Sequence, residues 1–255
     1  MNTENTGDAV AMIKTTRTKK PCIVSVSDKT NLHTYPEIKL TGEDSFIPCP
    51  NQNKERDILY ITGASGSGKS FYTKMYADEY AKMYPKNMIF LFSSITEDSS
   101  IDKIKKLKRI KLTKEFEDDN DLSAKDFENS LCIFDDTDCI TNKKLRNRVN
   151  SVLNSILETG RHTGTSCIYT SHVATSGIDT KKILNESHSI TIFPKSLGGR
   201  SLKYLLSDYL GMDKQEIKKI KKLPSRWVTI NKTYPKCVTS EKEAYIIDNS
   251  FSDDD

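Results

Sequence analysis

No stretch of the sequence approaches the roughly 18 consecutive apolar residues that a membrane-spanning helix needs, so no helical span is expected. The first ten residues, MNTENTGDAV, lack a positively charged start running into an apolar core, and secretion is therefore not expected. The six cysteines (Cys22, Cys49, Cys132, Cys139, Cys167 and Cys237) are scattered and form no C-x-x-C pair. That argues against a zinc site or a disulfide frame and for reduced, small hydrophobes in a cytosolic-type compartment. Neither sign of charge dominates: 39 Lys and Arg against 35 Asp and Glu leave a net charge of +4, too little by itself to establish a nucleic-acid partner. Internal repeats are absent. At 255 residues the chain suffices for one well-filled α/β domain with small appendages.

What is present centres on GASGSGKS, Gly63 to Ser70, preceded by the β-compatible run Ile58-Leu59-Tyr60-Ile61 and followed by a helical pattern. This is G-x-x-x-x-G-K-[ST] in its required context, strand before and helix after. Gly63, Ala64, Ser65, Gly66, Ser67 and Gly68 form a loop whose N–H groups can line one concavity suited to phosphate oxygens, with the positive end of the following helix behind it. In such a loop Lys69 reaches the β- and γ-phosphates of ATP and the Ser70 hydroxyl ligates Mg²⁺. An ordinary Gly/Ser-rich loop is the plainer alternative, and the flanking elements argue against it.

Downstream, Tyr72, Met75, Tyr76, Tyr80 and Met83 recur at helical spacing up to Pro85 and predict the core-facing side of that helix. Met88 to Phe92 predicts a second buried strand. Ile101, Ile104 and Leu107 predict a short helix flanked by Lys103, Lys105, Lys106, Lys108, Arg109 and Lys111. That basic run fits either DNA phosphates or a solvated helix face. Leu131-Cys132-Ile133-Phe134-Asp135-Asp136 then reads as a buried strand ending in two carboxylates at a ligand crevice. Asp135 is the candidate for holding Mg²⁺, Asp136 for polarising the attacking water, and Asp138 is taken as a loop residue. Leu145, Val149, Val152, Leu153 and Ile156 mark a helix closed by Gly160. Cys167 to Ser171 makes a fourth strand with His172 at its tip, and Ser189 to Phe193 a fifth. A strand with a polar tip after the Asp-Asp strand favours the additional-strand class of P-loop fold over the kinase and GTPase class. The pattern then gives two helices, Leu202 to Leu210 and about 213 to 222, and a ribbon of Trp227–Ile230 with Tyr245–Ile247.

Taken together, GASGSGKS, LCIFDDTD, GRHTGTSCIYTSH and SRWVTINKTYP resemble the FtsK–HerA superfamily of DNA-pumping ATPases. The likeness spans roughly Ile58 to Tyr245 and is most similar to the poxvirus-type genome-packaging ATPases of large cytoplasmic DNA viruses. The resemblance implies that Arg161, three residues before Gly164, is an arginine finger inserted into a neighbouring subunit's site, where a cation stabilises charge on the transferring phosphoryl group. It implies that His172 is the sensor contacting the γ-phosphate or the lytic water. The plainer readings are a helix-end cation for Arg161 and a hydrogen-bonded crevice histidine for His172. Asp136 stands where FtsK and HerA usually carry Glu, one methylene longer, and His172 where they usually carry Gln.

The expected architecture is a RecA-like α/β fold with helices on both faces of a parallel sheet. Its strand order is 5-1-4-3-2, counting the P-loop strand as 1, and a small C-terminal α/β appendage follows. The expected segments are a disordered basic arm at 1–20, β pieces or a flap at 21–50, the ATPase core at 51–195, C-terminal helices and ribbon at 196–248, and an acidic tail at 249–255. The resemblance implies an ATPase that pushes double-stranded DNA, without sequence preference, through a homo-oligomeric ring into a preformed capsid. Capsid proteins are then further partners, and the host cytoplasm (a viral factory) or the virion its place. A helicase or plasmid-transfer pump on the same fold is the alternative within the superfamily. A P-loop small-molecule kinase is the alternative outside it, although no Arg-rich lid pattern is present. A nucleotide switch without useful hydrolysis is a third.

Overall fold

Strands covered on both faces send alternate side chains into two separate cores, and the computed structural model, which describes residues 1–15, 21–28, 35–119, 121–175 and 178–247, shows both. Its elements in chain order are β1 (Asp8–Lys14), β2 (Cys22–Val26), β3 (Glu37–Lys39), β4 (Ser45–Ile47), β5 (Ile58–Thr62), α1 (Lys69–Met83), β6 (Ile89–Ser93) and β7 (Leu107–Ile110). There follow α2 (Lys114–Asp118), β8 (Leu131–Asp135), α3 (Lys143–Thr159), β9 (Ser166–Ser171), α4 (Ile178–Glu186) and β10 (Ser189–Ile192). The chain closes with α5 (Gly199–Lys203), a π-helical turn (Tyr204–Tyr209), α6 (Lys214–Lys222), β11 (Val228–Asn231), β12 (Cys237–Ser240) and β13 (Glu243–Ile246).

One ten-stranded sheet runs β3-β13-β12-β11-β10-β5-β9-β8-β6-β7. From β10 to β7 every pairing is parallel; from β10 to β3 every pairing is antiparallel. On one face Leu59, Ile61, Ile133 and Ile168 pack with Tyr72, Tyr76, Ala77 and Tyr80 of α1. On the other, Tyr60, Phe134, Tyr169 and Ile190 pack with Val149, Val152, Leu153 and Ile156 of α3. α3 forms because its apolar residues recur at helical spacing and Asn142 caps it, its side chain accepting from the Lys144 and Leu145 N–H groups. Met75 and Met83 of α1 are half-buried at the margin of the core.

Several expectations are corrected. The N-terminal segment is ordered where described: β1 pairs antiparallel with β2 and with β4 in a separate three-stranded sheet. Its short apolar run, Ala9 to Ile13, is diluted by polar neighbours in any composition average. Lys14 ends that strand, while Arg17, Lys19 and Lys20 lie outside the described residues. Of the pieces between 21 and 50, β3 joins the edge of the main sheet and β2 and β4 join β1. The expected helix around Ile101 to Leu107 is a 3₁₀ turn, Ile101–Lys103, followed by the strand β7. Ile101 and Ile104 are buried from that turn, so their spacing of three reflects its tighter winding. The C-terminal ribbon is three strands rather than two, and they continue the main sheet instead of forming an appendage. The acidic tail lies outside the described residues. Of the cysteines, Cys49, Cys132, Cys167 and Cys237 are buried and all six are free thiols; burial pushes the Cys167 thiol up to about 12. No helix among the described residues is long and apolar enough to cross a membrane.

Candidate nucleotide site

Parallel strands release their following loops at one edge of the sheet, and ligands of such sheets bind there. Here β5 runs into Gly63–Gly68, β8 ends at Asp135 and β9 ends just before His172. Because β9 is hydrogen-bonded to β5 on one side and β8 on the other, the three tips converge.

The loop conformation needs glycine at three places, and Gly66 is one of them, with φ +72°. Gly68 has φ +116°, a left-handed value that side chains rarely adopt. At Gly63 an added Cβ would lie 2.7 Å from Ser67 Oγ and 2.9 Å from the Phe193 ring, so the backbone there is packed against its surroundings. Gly68 is also the residue before α1 and supplies no side-chain cap, which leaves first-turn N–H groups of the helix without a side-chain partner. Ser67 Oγ is buried with no hydrogen-bond partner. Ala64 N–H donates to Ser196 Oγ at 3.4 Å, Ser65 and Gly66 are exposed, and Ser70 is half-buried. An orphaned hydroxyl beside a glycine cradle and an uncapped helix start fits a phosphate-bearing ligand.

Lys69, only 6% exposed, points its ammonium into the crevice. Its Nζ donates to Gly63 O at 3.0 Å and to His172 Nδ1 at 3.1 Å, and stands 3.8 Å from Asp136 Oδ1. An ammonium has no acceptor, so Nδ1 accepts and the other ring nitrogen carries the proton. That nitrogen, His172 Nε2, meets Asp136 Oδ2 at 2.9 Å. Asp136 reaches this position because its backbone is left-handed, φ 48° and ψ 35°, which turns the chain sharply after β8. Asp and Asn tolerate that conformation better than other side chains.

Thr170, which sequence reasoning passed over, ties the two carboxylates together. Its hydroxyl donates to Asp135 Oδ1 at 2.8 Å and accepts the Asp136 N–H at 3.1 Å. The available signal was its position near the end of β9, two residues before His172. Asp135 is 2% exposed, and burial first, then the charge of Asp136, pushes its carboxyl up to about 6. A divalent cation would relieve that cost: Mg²⁺ is commonly held by one or two carboxylates together with phosphate oxygens and water, and Asp135 and Ser70 are oxygen donors of that kind. Asp138 is more than a loop residue, since Ser171 Oγ donates to its Oδ2 at 2.7 Å and secures the tip of β9. Arg226, also missed, donates from Nε to Ser67 O at 2.8 Å and from Nη2 to Gly66 O at 3.3 Å.

The structure thus gathers Lys69, Asp135, Asp136 and His172 around the loop, and leaves Arg161 apart. Arg161 sits in the turn between α3 and β9, at the opposite edge of the sheet from His172. A six-residue strand such as β9 separates its two ends by about 20 Å. There Arg161 Nε pairs with Glu55 Oε2 at 2.5 Å, with both side chains largely exposed.

The fold and the loop define an α/β protein of the P-loop NTPase class. No protein-family model matches the chain. Uncharacterized protein V3 of Sputnik virophage is 41% identical over 205 residues, covering 79% of this chain and 81% of that protein, and the chain belongs to the same family as V3. Among solved structures, the cytoplasmic domain of the type VII secretion ATPase EccC from Thermomonospora curvata matches with a TM-score of 0.52 at 12% identity. It covers 82% of this chain and 28% of that one, and the likeness is one of fold. B204, the DNA-packaging ATPase of Sulfolobus turreted icosahedral virus, gives a TM-score of 0.49 at 17% identity, covering 75% of this chain and 98% of that one.

Proposed function

We propose that the chain hydrolyses ATP and uses the energy to drive double-stranded DNA into a preformed viral capsid, as a poxvirus-type member of the FtsK–HerA superfamily. The observation that carries the ATPase reading is the Lys69–His172–Asp136 constellation at the tips of β5, β9 and β8. The motif resemblance, and kinship with a virophage protein, support the packaging role. In this reading the N–H groups of Gly63 to Gly68 cradle the phosphates, and Lys69 exchanges Gly63 O and His172 for β- and γ-phosphate oxygens. Asp136 accepts a proton from the attacking water. As the new P–O bond forms, the bond to the β–γ bridging oxygen breaks, and ADP and phosphate leave. His172, hydrogen-bonded to Asp136, orients that carboxylate and senses whether the γ-phosphate is present. Ser70 and Asp135 would hold Mg²⁺, which when bound would neutralise charge at the phosphate oxygens.

Arg161 acts in trans. Its place at the far edge of the sheet supports this, since it is about a strand's length from its own subunit's loop. A head-to-tail, heterologous interface that closes on itself gives each site one such finger, hence a homo-oligomeric ring. The test is ATP turnover with and without long double-stranded DNA. Stimulation by DNA of any sequence is expected; turnover that ignores DNA would remove the translocase reading and leave an ATPase of another kind.

A further inference from the structure

In a phosphate-binding loop, an N–H that faces the ligand leaves the carbonyl of its own peptide unit facing outward. Glycine-rich backbone does not hold that orientation unaided, because glycine has the widest choice of conformations. In this chain the outward carbonyls have a partner from far along the sequence. Arg226 Nε donates to Ser67 O at 2.8 Å and Nη2 to Gly66 O at 3.3 Å. The guanidinium also lies against Gly68, where an added Cβ would come 3.2 Å from Nε. The peptide unit is planar with C=O and N–H on opposite sides. Fixing Ser67 O therefore turns the Gly68 N–H the other way.

Arg226 is itself held in place. Its N–H donates to Glu241 Oε2 at 3.2 Å, and the Glu241 N–H donates to Ser225 Oγ at 3.1 Å. The next residue, Trp227, is buried and meets the Tyr72 ring of α1 edge-on, with centroids 5.0 Å apart. Tyr72 OH in turn bonds Thr229 Oγ1 of β11 at 2.8 Å. The Ser225–Trp227 segment is thus anchored on both the helix that follows the loop and the antiparallel half of the sheet.

We propose that Arg226 is a positioning residue for the nucleotide site, a clamp that locks the Gly66 and Ser67 carbonyls outward and so presets the loop for phosphate. The inference rests on the nucleotide-binding reading above. The ligand class is a nucleoside triphosphate, and the clamp lowers the ordering cost of binding it. A planar fork matters more than charge here, so lysine is a poor replacement.

The test is equilibrium binding of ATPγS to the full chain, with thermal melts as a folding control. Two hydrogen bonds from a charged donor predict that R226A weakens binding about ten- to a hundredfold, and that in turnover KM rises by more than kcat falls. R226K should recover only part of the affinity. Low-millimolar guanidinium should restore R226A and do nothing for K69A, a response that loss of structure would not give. If R226A binds as tightly as wild type, or R226K matches wild type while guanidinium has no effect on R226A, the clamp is wrong and the nucleotide site stands. If wild type itself binds no ATPγS, the nucleotide site falls and the clamp with it.

Discussion

Replacing Asp135 with Asn should make the ligand-free protein more stable while disabling it. Asp135 is 2% exposed and its carboxyl is pushed from 3.8 to about 6, by burial and by Asp136. A carboxyl whose folded value is raised contributes stability that is full below the unfolded value and lost as the pH rises through the folded one. The window is therefore about 3.8 to 6. At neutral pH the ionised group costs on the order of 3 kcal/mol. Asn has no charge to desolvate and its carbonyl can still accept from Thr170. The assay is thermal unfolding in EDTA without nucleotide, wild type against D135N, from pH 4 to 7.5. The variants should nearly coincide at pH 4. At pH 7.5 D135N should melt roughly 6–12 °C higher, at the 2–4 °C per kcal/mol expected for a chain of this size. With Mg²⁺ and ATPγS the order should reverse, because only wild type gains from ligand linkage. A gap that does not change with pH, or a D135N less stable than wild type in EDTA at pH 7.5, would refute the argument.

D136N should keep nucleotide binding and lose turnover by about 10²–10⁴; Asn tolerates the left-handed backbone at φ 48°, so a variant that retained most of its rate would assign the water to another group. K69A should lose nucleotide binding with little change in melting temperature, since its ammonium faces the crevice rather than the apolar core, and wild-type turnover would remove the P-loop assignment. Mixing R161A with D136N subunits should restore part of the turnover, because some interfaces pair an intact site with an intact finger; no recovery in rings proven to be mixed would return Arg161 to a helix-end cation. DNA affinity should fall steeply with added salt and vary little with sequence, and tight salt-insensitive binding to one short site in filter or anisotropy assays would count against a motor.

The parts legible in the sequence are those where one local pattern meets one physical demand. Gly63 to Ser70 announces a phosphate loop because few other uses need glycine, lysine and a hydroxyl at those offsets. β8 and β9 are buried along their whole length because both faces of the sheet are covered, their apolar centres mark them as strands, and Asp135, Asp136 and His172 stand out at their ends. Two of the four-residue strands fare worse. Leu107–Ile110 carries two cations, and β12, Cys-Val-Thr-Ser, has a single aliphatic residue, so neither alternates long enough to declare itself. β1 was hidden by its polar flanks. Thr170 was hidden by its ordinariness, a strand hydroxyl whose partners are set only by pairing β8 with β9. Arg226 could not be found by spacing at all: its partners lie some 160 residues earlier, brought close by a sheet that seats β11 two strands from β5.

The outermost parallel strand, β7, bonds to β6 on one side and, among the described residues, ends the sheet on the other. An open edge of this sort invites any extended chain to pair with it, including the same edge of another copy. Lys105, Lys106, Lys108 and Lys111 are exposed in and around this strand, and Arg109 stands among them, partly offset by Asp102. Were two copies to zip together there, these cations would be forced to face one another across a strand spacing of about 4.8 Å. The same basic run that fits DNA phosphates is therefore also a charge barrier to edge-to-edge pairing through this strand.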